Sequence, residues 1–186
     1  MDLESLDNIK KESIVGCTPL KRNQEYLNNG SILWVTNKEV EYGEINHISD
    51  TEEKVNKVAL ENTNLKLVPQ NSLIISFTAS VGKVAINTVP LTTNQQFISF
   101  ILKENFDILY YAYYFMLSKE TIESYSGATP FSFITKKHAI TISVPRPSLA
   151  EQSRIATILS WFDDLIESKK SQNEILEKTA MAIFKS

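Results

Sequence analysis

The chain has 186 residues, 42% hydrophobic and 22% charged, with 22 acids against 19 lysines and arginines for a net charge of -3. That length suits one domain with or without an appendage, and the composition excludes a disordered or fibrous chain. The longest apolar run, Ile108 to Leu117, is half of the ~20 residues needed to cross a bilayer. Met1-Asp-Leu-Glu4 lacks a secretory pattern and the lone Cys17 has no internal disulfide partner, so the expectation is a cytoplasmic, reducing setting with no membrane contact.

In chain order, Ser31 to Thr36 is the first β-branched and aromatic run of strand length. Asp50 and Glu53 have capping-box spacing ahead of Val55, Val58 and Ala59, which predicts a short helix near Thr51. Strands follow at Leu73–Phe77, Lys83–Thr88 and Phe97–Leu102. From Asn105, residues Ile108, Leu109, Ala112, Phe115, Met116 and Ile122 recur at helical spacing up to Gly127. Tyr110, Tyr111, Tyr113 and Tyr114 broaden that face, either as core packing or as a platform for stacked bases. A further strand is expected at Ile140–Val144. Pro145 and Pro147 then force an extended exit. Ser148 and Glu151 form a capping box, after which no proline or glycine interrupts the chain through Lys185.

The fold class expected is α+β: a mixed sheet or barrel-like body with flanking helices over residues 1–147, followed by one long helix over 148–186. Steps of four and three along that helix connect Ile155, Leu159, Phe162, Ile166, Leu176 and Ile183, with Lys169 and Asn173 as polar interruptions. Such a seam is a coiled-coil heptad and predicts a second helix to cover it, the other reading being that the helix folds back on its own domain.

Charge is unevenly spread. Six acids lie between Glu39 and Glu53, whereas Ser13–Gln24, Asn62–Lys103 and Ser124–Ala150 contain none. If the acid-free stretches converge, one face is positive although the whole chain is not.

Enzymatic readings fail on motif grounds. Phe77-Thr-Ala-Ser-Val-Gly-Lys83 lacks the first glycine of a phosphate loop, and Val84 stands where its hydroxyl should be. Asn94-Gln-Gln-Phe97 lacks both prolines of a methyltransferase loop, and there is no glycine-rich methyl-donor segment. His47, His138 and Cys17 lack zinc-site spacing. The chain is therefore expected to be non-catalytic, without metal or cofactor.

What remains is polar turns. Lys21, Arg22 and Asn23 carry side chains suited to phosphates and base edges. Ser80 and Lys83 join two strands. Asn94 and Gln95 precede another strand and would either read adenine or satisfy backbone groups. Lys136 and Lys137 follow the Ser126–Pro130 turn, as a phosphate clamp or a solvated turn.

In combination, these residues resemble the specificity subunits of type I restriction-modification systems. The resemblance lies in Gly16-Cys-Thr-Pro19 with Tyr26, Gly30 and Ile32–Thr36; in Leu73–Ile86; in Thr93-Asn-Gln95; in Ser126-Gly-Ala128; and in Val144–Pro147 through Glu151–Ile155 and Ile158-Leu159. Cys17 and Glu39 depart from the usual glycine and aspartate. The resemblance implies a target-recognition domain on a spacer helix that binds double-stranded DNA, while methyltransferase (modification) and restriction subunits do the chemistry. Such subunits usually carry two domains and two antiparallel helices. One of each is present here, which implies a half-size subunit or an excised half that forms a homodimer through the helix seam, and a bipartite palindromic target. Two other classes remain open at this stage: a protein-interaction adaptor, and a single-strand binder using the tyrosine-rich helix.

Overall fold

The computed structural model describes residues 2–19, 24–125 and 134–185. A five-stranded sheet forms the centre, in the order β2 (Lys10–Val15), β9 (Phe97–Leu102), β6 (Leu73–Ser76), β7 (Val84–Asn87) and β4 (Ile45–Ile48). All neighbours are antiparallel except β4 and β7. β2 and β4 are its edges, so this sheet is open rather than a closed barrel.

Side chains alternate across its faces as the two-residue strand period requires. Leu73, Ile75, Val84, Ile86, Ile98 and Phe100 point to one core, shared with α3 (Ile108–Leu117). Ile14, Ile74, Ala85 and Phe97 point to a second core. That side is closed by a three-stranded sheet of β5 (Lys54–Val55), β3 (Ile32–Val35) and β8 (Thr92–Thr93). Trp34 and Val55 pack beyond it with Ala59 of α2 (Lys57–Asn62). A small ribbon joins β1 (Leu3–Ser5) to β10 (Ser143–Pro145), flanked by α1 (Leu6–Ile9) and α5 (Lys136–Ala139).

Three sequence expectations change. The helix expected near Thr51 begins instead at Lys57, capped by Asn56, whose side chain accepts from the Ala59 amide at 3.1 Å. The Thr51 hydroxyl instead accepts from the Trp34 amide and donates to the Glu53 carbonyl, turning the chain into β5. The long helix from Asn105 is two: Asp107 caps α3, and Ser118, at φ -105 and ψ 28, breaks it before α4 (Lys119–Ser124). Its expected stop at Gly127 lies outside the described residues. The strand expected at 140–144 starts only at Ser143, because Ile140 ends α5.

The last helix, α6 (Leu149–Phe184), has 36 residues and is about 54 Å long. Ser148 caps it, accepting from the Glu151 amide. The tyrosine stripe of α3 is core: Tyr110, Tyr111 and Tyr113 are buried, which removes the stacking platform of the single-strand reading.

Candidate nucleic-acid interface

One end of the sheet collects the connections that carry the candidate residues. β2 ends there and β9 begins there, with Val15 opposite Ile98. Ser76 is opposite Phe97, and Ile75 and Ile45 are both opposite Val84. β3 and β8 run parallel and end there together, with Val35 beside Thr93. Backbone bonds tie the exits: Gly16 N donates to Phe97 O at 3.0 Å, Cys17 N to Thr93 O at 2.9 Å, and Asn94 N to Val35 O at 2.9 Å. Gly16 has no space for a side chain, since a Cβ would lie 1.9 Å from the Asn94 carbonyl oxygen. The Ile134 amide donates to Phe77 O, and Lys136 Nζ donates to Ser13 O at 2.8 Å, bringing the segment before β10 to the same end.

The individual side chains divide into holders of the loops and exposed groups. Lys83 is only 8% exposed. Its ammonium donates to the Asn37 carbonyl at 3.0 Å and lies 5.2 Å from the Tyr42 ring centre. The Lys119 ammonium lies 4.8 Å from the centre of the same ring, so one tyrosine ring is contacted by two cations. Ser80 accepts from Asn37 Nδ2 at 2.7 Å. Its turn contains Ala79 at φ 62, a left-handed conformation costly for alanine and of the kind that clusters at functional turns. Asn94 is buried, bonding the Gln96 amide and side chain at 3.0 Å each, so it satisfies its own turn. Gln95 and Lys137 are exposed, with Gln95 accepting from the Thr18 hydroxyl. Lys21, Arg22 and Asn23 lie outside the described residues. Asn37, Tyr42 and Lys119 escaped sequence reasoning. Only the polar Thr36-Asn37-Lys38 turn at a strand end marked one of them.

α6 leaves the body past this same end. It runs beside α3 in the same direction: Ser153 donates to Asp107 at 2.7 Å, Tyr113 donates to Asp163 at 2.6 Å, and Lys170 pairs with Glu44 at 3.3 Å. Residues from Asp164 to Lys185 are all exposed. Burial, reinforced by Asp163, pushes the Tyr113 phenol well above its ordinary range, so the phenol stays a donor.

The predicted seam is redistributed. Ile155 and Leu159 pack against the body's own core, and Ile166 lines a groove against β4. Phe162, Leu176 and Ile183 stay on the exposed side, joined by Ile158 and Leu165. Together Ile158, Phe162, Leu165, Lys169, Gln172, Leu176, Thr179 and Ile183 step regularly by four and three, a heptad shifted from the one expected. Trp161, 64% exposed, flanks it. Glu39, Glu44, Asp163, Asp164 and Glu167 line the groove between β4 and α6, so two members of the acidic cluster face that flank beside three acids of the helix.

Among the described residues, no three histidine, cysteine, aspartate or glutamate side chains cluster as metal ligands, and no helix is long and apolar enough to cross a membrane.

Fold and site thus define a two-layered sheet body with a loop-bearing end and a rigid, partly uncovered helix. Residues 9–178 match the family model described as the type I restriction modification DNA specificity domain, and the chain belongs to that family. It is 38% identical over 173 residues to the type I restriction enzyme MjaIX specificity subunit of Methanocaldococcus jannaschii, covering 92% of this chain and 40% of that protein. Among solved structures, it superposes with a TM-score of 0.70 and 18% identity on a chain described under complex assembly and conformational transition of the type I R-M system, covering 93% of this chain and 41% of that one. The HsdS subunit from Thermoanaerobacter tengcongensis gives 0.64 and 16%, covering 90% and 38%. The chain spans about two-fifths of the length of these relatives.

Proposed function

We propose that this chain is the DNA-reading component of a type I restriction-modification complex, non-catalytic and acting in the cytoplasm. The loop end of the sheet reads one half-site of double-stranded DNA. The carrying observation is the convergence of separate polar connections at the end past which α6 leaves. Exposed Gln95 and Lys137 serve as base and phosphate contacts together with Lys136, and Lys21, Arg22 and Asn23 join them on the chemistry of their side chains alone. Ser80, Lys83 and Asn94 hold the loops that present them.

In the same reading, α6 pairs through Ile158, Phe162, Leu165, Leu176 and Ile183 with an equivalent helix, a second copy of this chain in a homodimer. The apolar stripe supports this, because monomers rarely leave one of that extent uncovered. Antiparallel two-fold pairing puts identical readers at opposite ends of the rod, so the target is bipartite and palindromic. Methyltransferase and restriction subunits seat on this frame and do the chemistry. Mapping methylated positions in DNA from cells carrying the assembled complex tests the reading. Methylation within inverted half-sites at one fixed spacing is expected; methylation confined to undivided, asymmetric sites would overturn it.

A further inference from the structure

Gln152 is 1% exposed and bridges two elements: its Oε1 accepts from the Asp107 amide at 2.9 Å and its Nε2 donates to the Pro147 carbonyl at 2.9 Å. Asp107 also caps α3, accepting from the Tyr110 amide, and accepts from Ser153 of α6. The base of α6 is thereby bonded to the start of α3. Eleven residues on, about 16 Å along the axis, the Tyr113 hydroxyl donates to Asp163 at 2.6 Å. Between these anchors the contacts are apolar, from Ile155, Ala156 and Leu159. Apolar contacts are non-directional and tolerate sliding or rolling; two separated polar anchors define a line.

Beyond Asp163 the helix is exposed and the further Lys170–Glu44 pair is between solvent-exposed side chains, so the two buried anchors aim a long lever. From Gln152 to Phe184 it extends about 48 Å. A tilt of about 4° at the base moves its far end by about 3.4 Å, the rise of one base pair.

We propose that Gln152, Tyr113 and Asp163 are positioning residues that fix the tilt of α6 on the body and so set the number of base pairs between the two half-sites. This deepens the DNA-reading proposal and rests on it: the loop end would determine which bases are read, and the clamp how far apart.

The test uses the full chain and duplexes bearing two inverted half-sites separated by spacers that change one base pair at a time. The unaltered protein prefers one spacer by about tenfold over its neighbours, as expected for the deformation that a wrong spacing imposes on DNA. Tyr113→Phe and Asp163→Ala flatten that preference or move it by a base pair, while binding to an isolated half-site changes less than about twofold. Variants that keep the original spacing profile, or that lose affinity equally at every spacing, overturn the clamp. An unaltered protein indifferent to spacing instead sinks the two-reader proposal. A readout without DNA separates the two: pulsed electron spin resonance between labels at Lys57→Cys and Lys178→Cys, in a Cys17→Ser background. The distance distribution is narrow in the parent and broadens or shifts in Tyr113→Phe. An unchanged distribution overturns the clamp whatever the DNA result.

Discussion

The Lys83 ammonium donates to the Asn37 carbonyl at 3.0 Å and, at 8% exposure, is a cation committed to the protein rather than to solvent. It ties the turn after β6 to the turn after β3. Replacing Lys83 with Met keeps the stem's volume but strands the Asn37 carbonyl, at a cost of about 1–3 kcal/mol. Chemical denaturation should show that loss. DNA affinity should fall while its dependence on salt stays the same, since no phosphate-bound cation has been removed.

Lys136 and Lys137 provide the contrast. Both are exposed, but the Lys136 ammonium donates a hydrogen bond to the Ser13 carbonyl at 2.8 Å. Lys137→Ala should flatten the slope of log affinity against log salt by up to about 0.9, and the double alanine variant by up to about two units. Lys136→Ala alone should change the slope less than Lys137→Ala. Unchanged slopes in titrations from low to moderate salt would remove both from the contact list.

Much of this arrangement was legible in the sequence because local chemistry decided it. Ser148 and Glu151 announced the start of α6, and the runs at 73–77, 83–88 and 97–102 became β6, β7 and β9. Other features depend on distant partners. The Asp50–Glu53 spacing looks like a helix cap, but the Thr51 hydroxyl is drawn to the Trp34 amide. β2 was hidden by a register shift between Lys10 and Glu12 that breaks its alternation. The helix seam divides between covered and exposed positions for the same reason. Periodicity identifies an apolar face, but Ile155 and Leu159 lie on the edge nearer α3, and only tertiary packing shows that they are already covered. Lys83 and Asn94 stood out by chemical type, while their burial depends on Asn37 and Gln96.

That division predicts two different phenotypes along one helix. Leu165→Asp with Leu176→Asp, both at exposed positions, should leave the melting temperature of the body nearly intact and yield monomers in sedimentation. Leu159→Asp puts a carboxylate against the core and should destabilise folding by about 2–4 kcal/mol. Dimers surviving the first pair of changes would reject the shifted heptad.

The tyrosines of α3 make stability sensitive to alkali. Burial raises the phenols of Tyr110, Tyr111, Tyr113 and Tyr114 above their ordinary value. A raised folded-state value means that stability is fully present below about pH 10, where unfolded tyrosine ionises, and is lost as pH climbs from there toward the folded-state values. Phenolate absorbance from these residues should therefore appear together with the loss of helical circular dichroism. Full ionisation of all four in a protein that keeps its secondary structure would contradict their burial.

In the proposed arrangement one sheet end reads DNA and α6 holds two such ends at a set distance. Selection of bound duplexes from a randomised pool by the purified full chain separates this arrangement from a single reader. Two inverted copies of one short motif should be enriched, separated by a constant number of unselected base pairs. Recovery of a single undivided motif, or of no enriched sequence at all, would contradict it.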